Sequence, residues 1–231
     1  MTALLALTAT LVAYQAARSV NRRGGGHPLL NPVLLAIIAL GALLALTGIK
    51  YRAYFQGAQP INLLLGPAVV ALAVPLHRQL STIRRSAPAV LSALAIGSLA
   101  AMGSAVAISQ ALGASATTVL SLAPKSATAA VAIGISRQLG GIPSLTAALT
   151  ISTGIIGAIL GPGLLARLKL HDDRAAGLAL GVASHGIGTA RALQIGEALG
   201  AFAGLGLALN ALATPLLLSV LDALHLLPHH P

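Results

Sequence analysis

Cysteine and tryptophan are absent from this chain, which has only three tyrosines, two phenylalanines and four acidic residues. Without cysteine there can be no disulfide, zinc–thiolate site or thiol nucleophile. With so few carboxylates, a Mg²⁺ or Ca²⁺ site is not expected, because those ions are held mainly by anionic oxygens. No metal or other cofactor is implied. Charge of either sign is scarce too: 8% of the 231 residues are charged, against about 25% in soluble domains. What remains is apolar, 56% by count, with a mean hydropathy of +0.89. No soluble fold of this length has enough interior to hide that surface. The composition predicts an all-α, polytopic integral membrane protein. At about 20 residues per crossing, about seven or eight segments use nearly the whole chain. Residues 1–231 therefore read as a single transmembrane domain.

The net charge of +10 does not imply a nucleic-acid partner. The basic residues are scattered between apolar runs without aromatic interleaving, as expected when positive charge sets membrane topology. The run Ala3–Val12 precedes Arg18, Arg22 and Arg23, the reverse of a cleaved signal peptide, so it reads as a retained first segment. Further segments are expected at about 29–49, 61–77, 88–112, 117–136, 142–166, 175–196 and 199–222. Tyr51, Tyr54 and Phe55 beside Lys50 and Arg52 suit an interfacial belt. The tail from His225 reads as an exposed polar end. The loops at 18–28 and 78–87, each with three arginines, fall on one side of the membrane. The basic loop 167–174 conflicts with that scheme unless segment five or seven is broken or re-entrant.

A repeat is visible. Leu65-Gly66-Pro67 opens a stretch ending Arg78-Gln79-Leu80, and Leu122-Ala123-Pro124 opens one ending Arg137-Gln138-Leu139. An apolar helix follows each. Candidate repeats run over 60–112, 117–166 and, more diverged, 175–222. Interrupted apolar segments at matching positions point to a transporter binding site. The interruptions expected are Pro67, Pro124, Gly186 and Gly188. Segments five and seven should therefore be broken helices that meet near the membrane midplane.

Polar residues inside these runs carry the functional reading. A Lys or Arg at the bilayer centre costs about 2.5–3.5 kcal/mol, so such residues normally face a protein interior or a wet path. Lys125 and Ser126 follow Pro124, and Ser184, His185, Thr189 and Arg191 surround the two glycines. Together they suit a small organic anion. The bland alternatives are an interfacial anchor for Lys125, close helix packing for the glycines and snorkelling for Arg191. Arg137 reads equally as a substrate contact or as part of a surface loop. His185 and Glu197 are the candidates for proton coupling. Glu197 could instead pair with Arg191 or with another segment. Gly154, Gly157 and Gly161, and Gly97, Ala101 and Ala105, form small-residue stripes suited to helix contact, within the protomer first. No P-loop, nucleophile elbow or HExxH spacing occurs, so an enzyme is not expected.

At these residues the chain resembles the LrgB/CidB family of bacterial inner-membrane proteins, described as antiholin-like modulators of murein-hydrolase export. The resemblance rests on Leu65–Gln79, Pro124-Lys125-Ser126, Ile135–Thr146, Thr153–Gly157 and above all Ala183-Ser-His-Gly-Ile-Gly-Thr-Ala-Arg-Ala192. It runs from about residue 30 to 215. The family is also similar to the membrane half of the plastid glycolate/glycerate transporter. The resemblance implies two competing functions. One is secondary transport of small monocarboxylates of the pyruvate, glycolate or glycerate type. The other is control of lysis without transport, beside a small LrgA/CidA-like holin-type partner. It also implies a multi-pass protein of the bacterial inner membrane, and a homo-oligomer is expected. After Ser126 this chain reads Ala127-Thr-Ala-Ala-Val131 where relatives carry a threonine-rich run, which removes hydroxyls from that part of the site.

Overall fold

The computed structural model describes residues 3–27, 30–64, 67, 70, 71, 73–224, 226 and 227, which are helical with no strand among them. In chain order the helices are α1 (Ala3–Arg23), α2 (Pro32–Thr47), α3 (Tyr51–Leu63), α4 (Ala73–Arg78), α5 (Leu80–Arg85) and α6 (Ala87–Ala111). They continue with α7 (Ala116–Leu122), α8 (Ala129–Gln138), α9 (Pro143–Arg167), α10 (Asp173–Ile195) and α11 (Glu197–Ala223). Of the seven or eight expected segments, four correspond, among the described residues, to helices long and apolar enough to cross a bilayer: α1, α6, α9 and α11. The apolar α2 has 16 residues, fewer than a crossing usually takes. Of the expected break at Pro67, the flanking residues 65, 66, 68 and 69 lie outside the described residues, as does His225 in the tail.

The chain divides into two compact units, Met1–Ala73 and Val74–Pro231. In the first, α1 packs on α2 and α3. A hydrogen bond of 2.7 Å joins Thr10 Oγ1 to the Tyr54 hydroxyl, and the Tyr51 ring lies against Tyr54 and Phe55. The start of α2 follows from local chemistry. Asn31 Oδ1 accepts from the Val33 and Leu34 amides at 2.9 and 3.3 Å, while Pro32 occupies a position that needs no amide donor. Gly48 at φ 66° closes the helix.

The second unit is built on two folded-back helical segments, each followed by a long apolar helix. The first folds around residues 123–128, between α7 and α8. Ser121 from α7 and Ser136 from α8 both reach the start of α9. The Ile142 amide donates to Ser121 Oγ at 2.7 Å. Thr146 Oγ1 bonds the Ser121 carbonyl at 3.0 Å and Ser136 Oγ at 2.7 Å. All three hydroxyl residues are fully buried, so α7, α8 and α9 are tied by satisfied polar groups.

The second fold-back lies inside α10. At His185 the backbone takes φ 41°, ψ −137°, and the chain reverses there. A Cβ placed on Gly188 would lie 2.8 Å from the Leu180 carbonyl oxygen, although eight residues of straight helix span about 12 Å. Likewise Gly177 abuts Leu199 while Leu193 abuts Gly200, so both arms of α10 meet the start of α11. The arms are 173–184 and 186–195.

Close helix contact is concentrated between α10 and α11. A methyl on Gly181 would sit 2.8 and 2.9 Å from the backbone carbon and Cα of Ala203. Backbone cannot move aside as a side-chain tip can. Gly181→Ala should therefore lower stability by about 1–3 kcal/mol. Gly103→Ala, in open space on α6, should be neutral or raise it by up to about 1 kcal/mol. Thermal melts of the purified variants check this pair. The small-residue stripe of α9 also packs within the chain: Gly154 faces the His185 ring, Gly157 faces Ser184 and Gly161 faces Leu180.

Candidate functional site

The two reversal points are tied together by one side chain. Asn210, 2% exposed near the middle of α11, donates through Nδ2 to the Ser126 carbonyl at 2.9 Å and to the Val182 carbonyl at 3.2 Å. Its Oδ1 accepts from Ser98 Oγ at 2.7 Å and Thr214 Oγ1 at 3.3 Å. The amide thus joins α6, the 123–128 turn, the first arm of α10 and α11, with its capacity fully used. Nothing in the sequence reading singled out Asn210. Its signal was an amide, alone of its kind, inside the apolar run of α11.

Lys125 lies at the first turn, half-buried, with Nζ 3.3 Å from Ser126 Oγ. Its ammonium forms no ion pair; the two pairs among the described residues are Arg78–Glu197 and Arg174–Asp172. Ser126 itself is buried. A half-buried cation beside a hydroxyl, without a carboxylate, attracts an anion strongly because little water screens it. Pro124 is buried within the same turn, where its missing amide donor helps end helical pairing.

His185 lies at the second turn. Its Nε2 bonds the Thr150 carbonyl of α9 at 2.8 Å, so Nε2 carries a proton and Nδ1 is left for other chemistry. The hydroxyl of Thr150 is fully buried and has no hydrogen-bond partner. A buried orphan hydroxyl is uncommon and suits a ligand atom or a water. Ser184 is buried against Gly157 and Gly188. Thr189 Oγ1 donates to the His185 carbonyl at 2.9 Å and lies 3.3 Å from the Ala203 carbonyl, which steadies the reversal from its far side. Gly186 and Gly188 fall within the second arm, and the residue with non-helical dihedrals is His185.

The remaining candidates lie elsewhere. Arg191 is half-buried and its Nη1 reaches Gln194 Oε1 at 3.3 Å, on its own arm. Arg137 is exposed in the last turn of α8. Glu197, also exposed, pairs with Arg78 Nη1 at 3.1 Å, so its partner comes from another segment and is not Arg191. Among the described residues, no hydrogen bond or ion pair links Lys125, His185 and Arg191 to one another. No group of three or more His, Asp or Glu residues that could hold a metal ion occurs among them either.

The LrgB-like family model matches residues 10–224. A protein of Staphylococcus epidermidis named holin-like protein CidB is 35% identical over 219 residues, 95% of each chain, and one of Staphylococcus aureus with the same name matches equally. The uncharacterized protein YxaC of Bacillus subtilis is 38% identical over 195 residues, 84% of each chain. No solved structure matches the chain.

Proposed function

Because the chain belongs to the LrgB-like family, we propose that it is a secondary transporter of small monocarboxylates, of the pyruvate, glycolate and glycerate type, in the bacterial inner membrane. The observation that carries this reading is the meeting of two broken helical segments at Asn210, with the unpaired Lys125 ammonium at one break and His185 at the other. Non-helical backbone at membrane depth is tolerated where it lines protein or a wet cavity, and discontinuous helices are the usual frame of transporter sites.

The order of elements supports an internal repeat of inverted topology. A folded-back segment and a long helix (α7–α8, then α9) are followed by a second such pair (α10, then α11). Ile142, which caps α9, and Thr146 within it meet the arms before them as Leu199 and Ala203 of α11 meet theirs. Each long helix also holds the turn of the other pair: Thr150 of α9 holds His185, and Asn210 of α11 holds Ser126. Arg85 and Arg174 line one cavity, so the basic stretches 78–87, which is largely helical here, and 167–174 share one end of the unit. A segment five that folds back removes the sidedness conflict, and that end is then cytoplasmic.

In this mechanism the carboxylate binds at Lys125 and Ser126, while the substrate's hydroxyl or carbonyl reaches the Thr150 hydroxyl. His185 carries the coupled proton at Nδ1. Arg78 already engages Glu197, which leaves His185 as the coupling group. No catalysis is assigned. The test is counterflow of labelled pyruvate, glycolate and glycerate in proteoliposomes of the purified protein. Wild type should exchange at least one of them. Lys125→Met should insert normally and lose roughly ten- to a hundredfold in uptake, as for a lost charge-assisted hydrogen bond. No exchange by wild type, or undiminished uptake by Lys125→Met, rejects the carrier. The staphylococcal relatives' name, holin-like, favours as second reading an antiholin-like modulator of murein-hydrolase export, acting in a homo-oligomer or with a small LrgA/CidA-like membrane protein.

A further inference from the structure

We propose that the groove between α6 and the first arm of α10 holds an acyl chain of an anionic bilayer phospholipid, with the lipid phosphate at Arg85. Two adjoining cavities form this groove. One of about 300 Å³ is walled by small residues, Ala93, Gly97 and Ala101 of α6 facing Ala175, Ala179 and Ala183 of α10. The other, of about 400 Å³, continues past Ala89 and Ala93 to a mouth formed by Arg85, Ser86, Asp172 and Arg174. From Ala89 to Ala101 the α6 wall runs about 18 Å, the depth of a lipid tail rather than of a compact solute.

The chemistry changes along that length. The inner part is apolar throughout, and an apolar groove opening on hydrocarbon is filled by hydrocarbon, since water there would find no polar partners. The mouth is cationic. Arg174 is engaged by Asp172, with Nη2 to Oδ2 at 2.6 Å and Nε to Oδ1 at 3.0 Å. That pairing holds the Asp172 carboxyl down at about 2, so it stays ionised and the pair is neutral. Arg85 has no such partner among the described ion pairs, which leaves a guanidinium at the mouth for an anion. Arg84, in the same short helix α5, adds to the positive field. A basic pocket between membrane helices, at the end carrying excess Lys and Arg, is the setting in which anionic headgroups are recognised. This inference does not depend on transport.

Native mass spectrometry of the full-length protein in detergent tests it. The probes are phosphatidylglycerol and phosphatidylcholine with identical acyl chains. Wild type should retain one phosphatidylglycerol per chain in roughly tenfold preference to phosphatidylcholine. Arg85→Gln should abolish the preference. Arg22→Gln, which removes the same charge from α1, should keep it. Ala179→Leu should fill the groove and release both lipids; Ala93→Leu, on the opposite wall, repeats the test should Ala179→Leu not fold. Equal retention of the two lipids by wild type overturns the proposal, as does unchanged retention by Arg85→Gln and the leucine variants. A change of oligomer mass in those variants without lipid loss would assign the groove to a second copy of the chain, and overturns it as well.

Discussion

His185→Gly should melt above His185→Ala, the reverse of the order found inside helices, where glycine is about 1 kcal/mol worse than alanine. At φ 41°, ψ −137° a Cβ is strained, and holding a non-glycine residue there costs about 1–3 kcal/mol. Both substitutions lose the 2.8 Å bond to the Thr150 carbonyl, worth about 1 kcal/mol, and both leave space beside Gly154. Only glycine also relieves the backbone. It should therefore stay within about 1 kcal/mol of wild type, while alanine should fall about 1–3 kcal/mol below glycine. For a chain of this size that is roughly 2–4 °C per kcal/mol. Neither variant should transport, since both lack the imidazole. The strained dihedrals fall on His185 although the adjacent Gly186 could adopt them at less cost. Melting curves and counterflow on the same preparations decide the matter. Should alanine be the more stable of the two, the reversal at residue 185 is not the native conformation.

Asn210→Leu should cost the second unit more stability than the loss of any one of the four hydrogen bonds that Asn210 makes. Leucine keeps the branching at Cγ, though its methyl groups are bulkier, and leaves the Ser126 and Val182 carbonyls without their donor and the Ser98 and Thr214 hydroxyls without their acceptor. Unsatisfied buried groups cost about 1–3 kcal/mol each in water-soluble proteins, and interhelical bonds in membranes average nearer 0.6. The two hydroxyls can turn to their own helices; the carbonyls cannot. A total of about 2–4 kcal/mol follows, or roughly 5–15 °C in melting temperature. Ser98→Ala alone should cost much less. Added to Asn210→Leu it should cost almost nothing, because its partner is already gone. A melting temperature for Asn210→Leu within 2 °C of wild type would show that Asn210 does not hold the two turns together.

The helical, membrane-embedded class was legible from composition alone, and the first break from residue order. A proline followed by a lysine inside an apolar run is costly twice over, and both residues lie in the turn that ends α7. The second break was read from Gly186 and Gly188, whereas the structure puts the departure on His185, because the strain of a positive φ leaves no mark in residue type. That α7–α8 and α10 fold back was less visible. An arm that returns is as apolar as one that crosses, and the one hint was the misplaced basic loop at 167–174. Asn210, Thr146, Ser121 and Ser136 went unnoticed because uncharged polar residues occur in apolar helices without attracting attention. Arg191 and Glu197 look like neighbours in sequence. The partner of Glu197 is 119 residues away, which no local pattern could reveal.

The Ser126 carbonyl is synthesised 84 residues before the amide that satisfies it. The first reversal and α9 must therefore enter the bilayer with that oxygen unanswered, and the second reversal follows with Val182 in the same condition. Both are resolved by Asn210 of α11, which follows both reversals in the chain. The centre therefore closes only once residue 210 is in place: chains interrupted before it expose paired polar defects in hydrocarbon, a state that membrane quality control can distinguish from the closed centre.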